Sequence, residues 1–292
     1  MEVIRCVFSK KEIITAMKFN RRIMTIGAGV AFAAVSLFLT ASSMNRGGQS
    51  DYKEGKTVYD TYCVACHGMD GNGNGPDAHL LKVKPTDFRK GVFRFKSTAG
   101  AALPTKGDII RTLELGVRTT AMLPQLQLSR EQMEDVAGYV MSFCPKFRTE
   151  KPGKVVPIPA APPKTAAMIK DGKSLFTTCA VCHGVNGEGD GPIAATLKDD
   201  NGRPIRPANL TERPLKRSNT PDEMYRTIAC GVNGTPMASF AASFKPKQIW
   251  SLVYYIESIT RNPNPGKKLV GEEKIGARID KAAYEAWMKS GK

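Results

Sequence analysis

Two five-residue units constrain this chain more than anything else in it: Cys63-Val-Ala-Cys66-His67 and Cys179-Ala-Val-Cys182-His183. They hold four of its seven cysteines and two of its three histidines. The remaining cysteines are Cys6, Cys144 and Cys230, and the remaining histidine is His79. A zinc ribbon could take four thiolates from two Cys-x-x-Cys pairs, but it has no need of a His directly after each pair. A thioredoxin-like redox pair calls for a preceding strand and a βαβ context, and neither is legible here.

The units sit inside a longer repeat, offset by about 115 residues. CVACHGMDGNGNGP from Cys63 answers CAVCHGVNGEGDGP from Cys179. Upstream, Gly55 to Tyr59 matches Gly172 to Phe176 as Gly-Lys-x-x-aromatic. Downstream, RTLELGVRTTAM from Arg111 matches RTIACGVNGTPM from Arg226. Met122 lies 55 residues beyond His67, and Met237 lies 54 beyond His183. Between the halves, Lys151 to Lys164 is rich in proline, without helical or strand period, and reads as an extended, stiff connector.

The periodicity predicts an all-α chain. Thr220-Pro-Asp-Glu223 and Ser129-x-x-Gln132 are capping-box patterns, and Gly231 stands where a helix C-terminal cap belongs. Met133, Val136, Ala137 and Val140 recur at helical spacing, as do Ile249, Leu252, Val253 and Ile256. No segment alternates like a strand. A few short helices per half of ~100 residues bury a thin core, which a covalently tethered apolar group would thicken.

Cys-x-x-Cys-His is the attachment signature of c-type haem. On a helical turn, residues three and four apart share a face. Both sulfurs then reach the vinyl groups of one porphyrin, and the following His addresses the iron. Two copies predict two covalently bound haems c, held by Cys63, Cys66 and His67 and by Cys179, Cys182 and His183.

On these motifs the chain resembles the class I cytochrome c family, over residues 52–144 and 168–260. The resemblance implies two tandem cytochrome c domains. In that family an N-terminal helix crosses a C-terminal helix through a glycine and an aromatic. Gly55/Tyr59 and Gly172/Phe176 resemble the first partners, and Tyr139 and Tyr254 lie in the C-terminal helices. It also implies that the Pro carbonyls of Gly75-Pro76 and Gly191-Pro192 accept the ring N–H of the proximal His. The distal iron ligands it implies are Met122 and Met237, the latter within Thr-Pro-Met. His/Met ligation raises a haem potential. Arg111 and Arg226 are candidates for pairing with haem propionates, a solvated helix face being the alternative.

The expected organisation is a targeting or anchor segment at 1–50, domains at 51–148 and 166–262, a linker at 149–165 and a tail at 263–292. Ile23 to Ala41 is a 19-residue uncharged stretch preceded by Lys18, Arg21 and Arg22. It fits a membrane anchor or a cleaved signal peptide, with Ala41-Ser-Ser43 as cleavage region and Met17 as an alternative start. Either delivers the domains to the outer face of the membrane, the periplasm of a two-membrane cell. With 43 Lys plus Arg against 27 Asp plus Glu, the formal charge is +16. That favours acidic redox proteins or a membrane respiratory complex as partners, while no nucleic-acid motif accompanies it. Iron with both axial positions filled points to an electron carrier rather than an enzyme. The alternatives are a diheme peroxidase or thiosulfate dehydrogenase, for which Cys230 is a candidate axial thiolate, and a tightly bound cytochrome subunit of a respiratory enzyme. Asp70 to Gly75 opens like a calcium loop, but its twelfth position is Leu81 rather than Glu. His79 is expected in a loop facing solvent, and Cys144 and Cys230 as small buried apolar residues.

Overall fold

A computed structural model describes residues 47–217 and 219–261. The uncharged stretch 23–41, Cys6 and the tail 263–292 lie outside the described residues. Among the described residues no helix is long and apolar enough to cross a membrane. The chain divides at Glu54–Gly55, and the unit that begins at Gly55 holds both Cys-x-x-Cys-His motifs.

Nine α-helices form among the described residues, besides three short 3-10 turns: α1 (Gly47–Tyr62), α2 (Val64–His67), α3 (Lys106–Leu115), α4 (Arg130–Ser142), α5 (Lys146–Thr149), α6 (Ala166–Leu175), α7 (Thr177–His183), α8 (Pro221–Cys230) and α9 (Pro246–Ile259). No strand forms among them; the only extended pairings are isolated bridges, Thr98 with Val155 and Lys198 with Pro204. The expected all-α class therefore holds. Ser129 and Gln132 close a full capping box on α4, and Gly231, at φ 73°, caps α8. At Thr220 only half the expected box exists. Its hydroxyl accepts from the Glu223 N–H, while the Glu223 carboxylate turns to three arginines.

Each half is built on one helix crossing. In the first, α1 meets α4 at Gly55, where a Cβ would stand 2.3 Å from the Asp135 carbonyl oxygen. In the second, α6 meets α9 at Gly172, where a Cβ would stand 2.0 Å from the Ser251 carbonyl oxygen. Only glycine lets the backbones approach so closely. Tyr59 packs on Tyr139 at 5.3 Å and 56°, and Phe176 on Tyr255 at 5.1 Å and 57°. The crossing partner in the second half is thus Tyr255. Tyr254, one residue earlier on the helix, faces elsewhere and donates its hydroxyl to the Pro162 carbonyl.

The first core gathers Val58, Tyr59, Ile109, Leu113, Val136 and Val140; the second gathers Phe176, Tyr225, Ile228, Trp250, Leu252 and Val253. Each such side chain, fully buried, contributes roughly 1.5–3 kcal/mol. Helix α9 is buried on nearly every side because the proline-rich connector covers what the crossing leaves open. The Trp250 indole N–H donates to the Pro159 carbonyl at 3.2 Å, and Val156 and Ile158 pack on the same core. The connector is also tied to the first half, through Val156 N–H to the Ser97 carbonyl at 2.8 Å and Gly153 N–H to the Leu103 carbonyl at 3.1 Å. It is extended, as expected, but strapped down along its length rather than spanning free solvent.

The halves meet reciprocally. The Arg118 N–H donates to the Lys216 carbonyl at 3.0 Å, and the Asn233 N–H to the Arg94 carbonyl at 3.2 Å. Arg118 and Asn233 are equivalent in the repeat, and each contacts the loop leading to the other half's penultimate long helix. Arg94 adds an ion pair to the buried Asp199 at 2.7 Å.

Candidate functional site

The two Cys-x-x-Cys-His units are helical, as their spacing requires. The His67 N–H bonds the Cys63 carbonyl at 2.9 Å and the Gly184 N–H bonds the Ala180 carbonyl at 2.8 Å, so the cysteines of each pair share a helix face. None of the four is tied up in a disulfide. Burial, and less strongly the neighbouring thiol, push Cys63 up to about 12 and Cys179 up to about 11. These are neutral nucleophile precursors rather than thiolates poised for exchange.

Behind each helix a glycine-rich loop doubles back. Gly73 N–H bonds the His67 carbonyl at 2.9 Å, and Gly189 N–H bonds that of His183 at 2.8 Å. Gly75 and Gly191 bond the carbonyls of Cys66 and Cys182, both at 3.1 Å. A Cβ at Gly75 would lie 2.3 Å from the Ala65 oxygen, and one at Gly191 2.4 Å from the Val181 oxygen. The Gly-Pro pair thus ends the motif helix by satisfying its last carbonyls.

It does not hold the histidines, contrary to the expectation for Pro76 and Pro192. The His67 Nδ1 faces the Thr86 carbonyl at 3.4 Å, and the His183 Nδ1 faces the Ala208 carbonyl at 3.0 Å. The Pro76 carbonyl faces the Nδ1 of the exposed His79, at 2.7 Å. The reason is a second loop that closes over each ring. Phe88 N–H bonds the Gly71 carbonyl at 2.7 Å, and Leu210 N–H bonds that of Gly187 at 2.6 Å. These bonds bring Pro85-Thr86 and Pro207-Ala208 onto the imidazoles. A carbonyl only accepts, so Nδ1 carries the proton and Nε2 keeps its lone pair for a metal. Burial lowers both imidazoles, His67 to about 4 against the opposing pull of its carbonyl partner, so both rings are neutral, the form in which an imidazole can bind a metal. In the first half Phe88 also stacks on His67 at 4.5 Å and 18°.

The methionine loops are close copies. Val117 N–H bonds the Met122 carbonyl at 2.7 Å, and Val232 N–H bonds that of Met237 at 3.0 Å. The Thr120 and Thr235 hydroxyls each donate to the valine carbonyl at 2.7 Å. They also accept from the methionine N–H, at 3.1 and 3.2 Å. Both methionines are half-buried, and Met122 packs on the first core. At one of the three positions where the loops differ, Thr119, at φ 61°, occupies the left-handed conformation that Gly234 adopts at φ 71°.

Cys144 and Cys230 are buried and unpaired, as expected; Cys230 belongs to the second core. Among the described residues no cluster of His, Cys, Asp and Glu could hold a bare metal ion. The donors come instead as a thiol pair, a neutral imidazole and a thioether in each half, a set that fits a covalently attached haem and not a naked cation.

Two stretches, residues 52–143 and 169–260, match the cytochrome c family. The chain belongs to that family, as a tandem c-type cytochrome with two covalently bound haems. Cytochrome c-554(547) of Halothiobacillus neapolitanus is 32% identical over 95 residues, which is 32% of this chain and 97% of that protein. A chain of the reducing HAO-like protein complex of Kuenenia stuttgartiensis is 37% identical, with a TM-score of 0.69, covering 71% of this chain and 96% of the other.

Two determinants were missed in the sequence. The His-orienting carbonyls of Thr86 and Ala208 have a signal there, a second proline in each half. It is blurred because the spacing from His is 19 residues in one half and 25 in the other. The added residues include the Asp199–Arg203 turn, which docks against Arg94. The second missed determinant is Arg217, which the repeat does not mark and which lies over the Phe95 ring at 5.8 Å.

Proposed function

We propose that this cytochrome is an exported carrier of single electrons between larger redox proteins on the outer face of the membrane, and not itself an enzyme. The observation that carries the reading is the pairing, in both halves, of a proximal histidine fixed through Nδ1 with a matched methionine loop. Each bound haem supplies a one-electron iron couple. His67 and Met122, and His183 and Met237, would fill both axial positions and leave none for substrate. The thioether and the neutral imidazole add no charge, which favours the ferrous state. Exclusion of water by the two cores and hydrogen bonding of the imidazoles tune the potentials further. The +16 formal charge, reduced by the propionates, would steer encounters with acidic partner surfaces in a salt-dependent way.

A second reading, a bound cytochrome subunit of a larger enzyme, is favoured by the likeness to a chain of a reducing HAO-like complex over 96% of that chain. The two readings share the chemistry and differ in assembly.

Redox titration of the mature protein tests the function. Two reversible one-electron steps per chain are expected, with no turnover of peroxide or thiosulfate. Turnover of peroxide or thiosulfate by the wild-type protein would identify an enzyme instead. Co-purification with a membrane or multihaem complex, persisting at high salt, would choose the subunit reading over the free carrier.

A further inference from the structure

Where the two halves meet, three guanidinium groups surround one carboxylate. Arg111 Nη1 lies 3.6 Å from Glu223 Oε1, Arg217 Nε 3.9 Å from Oε2, and Arg226 Nε 4.0 Å from Oε1. All three distances exceed those of a charge-assisted hydrogen bond. The Arg217 side chain is only 2% exposed. Four of the cluster's nitrogen atoms are buried without a hydrogen-bond acceptor: Arg111 Nε, Arg226 Nε, and Nε and Nη2 of Arg217. A native interior seldom leaves such donors unmatched, and each instance calls for a partner. The nearby acid Asp108 is unavailable. Its two oxygens already take Ser97 N–H and Oγ, and Thr105 N–H and Oγ1, at 2.8–3.0 Å. Burial pulls the Arg217 guanidinium down to about 10 while Glu223 opposes it, so the group is still charged at neutral pH.

The place of the cluster is as telling as its charge. Arg111 and Arg226 are equivalent in the repeat, on α3 and α8, the helices that lead into the two methionine loops. Arg217 comes from the second half, and its Nη1 donates to the carbonyls of Gly116 at 2.8 Å and Arg111 at 3.2 Å in the first. Gly116 opens the Met122 loop. The cluster therefore touches the support of both haem sites at once.

We propose that Arg111, Arg217 and Arg226 form a single carboxylate-binding site at the domain junction, filled by haem propionates and shared by both haems. The inference rests on the two-haem reading. Three planar, forked donors suit carboxylates, bidentately in favourable cases, and the surplus of positive over negative charge calls for anions that stay with the protein. A positive cluster paired with the propionates of both haems would stabilise the reduced state of each, so its loss would lower both potentials.

The test is spectroelectrochemical titration of holo Arg217→Gln, Arg111→Gln and Arg226→Gln beside the wild type. Haem content is measured first. A wild-type chain without two haems defeats the two-haem reading itself, an outcome separate from any failure of the arginine site. The expected result is a downward shift of both potentials in every fully loaded variant, largely restored in Arg217→Lys. A shift of one potential alone, or of neither, overturns the shared site. Titration with inorganic phosphate separates the two sources of anion. Propionate-filled, the wild-type potentials do not respond in a saturable manner at constant ionic strength. A saturable shift that disappears in Arg217→Gln would mean that the site is open to solute anions, and would overturn the assignment.

Discussion

The first and second haem domains share one frame and support it unequally. Both cross their helices at a glycine, cap the motif helix with Gly-Pro and close the methionine loop with the same threonine bonds. The second domain holds its imidazole at 3.0 Å from a carbonyl, the first at 3.4 Å. The second places glycine at the left-handed corner of its methionine loop; the first places a β-branched threonine there, a conformation that costs on the order of 1–3 kcal/mol. The second also has its C-terminal helix sheathed by the connector. The first compensates locally: Phe88 stacks on His67, and the Tyr59 hydroxyl donates to the Gly68 carbonyl at 2.7 Å, where the second has only Phe176. What was duplicated is the backbone geometry. The side chains that secure it have diverged.

The shared frame is broken most severely at the crossings. Gly172→Ala and Gly55→Ala should each destabilise their own domain by about 3 kcal/mol. Gly172→Ala should cost more because its Cβ meets backbone at 2.0 Å rather than 2.3 Å. Domain-resolved thermal unfolding of the holoprotein measures this, and a loss well under 1 kcal/mol in either would refute the crossing.

The methionine-loop contrast is sharpened by exchanging its corner residues. Gly234→Ala should cost about 1–2 kcal/mol, from the left-handed backbone and from contact with Val92 at 2.7 Å. Thr119→Gly should stabilise the first domain by about 1 kcal/mol, strain relief outweighing the added chain entropy. Destabilisation by Thr119→Gly in the same unfolding assay would show that threonine is not strained there.

Tyr59→Phe makes the first domain resemble the second, and should cost it about 1 kcal/mol through the lost hydrogen bond. Phe176→Tyr should bring no gain. Equal stability of Tyr59→Phe and wild type would remove that compensation from the account.

The smallest effect concerns the junction and pH. Burial raises Asp199, but the backbone N–H groups of Arg203 and Asn201 and the Arg94 guanidinium outweigh it and hold it below the ordinary 3.8. A carboxylate depressed on folding lends stability above its unfolded pKa and withdraws it as pH falls through the folded value. Domain docking should therefore weaken only below about pH 4, by on the order of 1 kcal/mol or less given the exposure of Arg94. Asp199→Asn should flatten that acid limb of the stability curve; an unchanged limb would place the titration elsewhere.

Sequence carried the frame well because side-chain identity enforces it. The Cys-x-x-Cys-His spacing, Gly55 and Gly172, and the Ser129 cap each show in the sequence because the geometry there calls for that residue type. What stayed hidden depends on backbone carbonyls or on long-range charge. Any residue supplies a carbonyl, so Thr86 and Ala208 are marked only by the prolines before them, at unequal spacing from the histidines, while Pro76 and Pro192 misled. One helical position separates Tyr254 from Tyr255, and periodicity does not say which faces the partner helix when the whole of α9 is buried. Glu223 has the identity of a capping-box acid, but its carboxylate answers to Arg217, which sequence does not place beside it.

The most direct test of two His/Met haems per chain is the far-red absorption band of Met-ligated ferric haem, quantified against total haem in the mature protein. The account predicts an intensity corresponding to both haems, halved in Met122→Ala and in Met237→Ala. A band accounting for one haem or none in the wild type would contradict it.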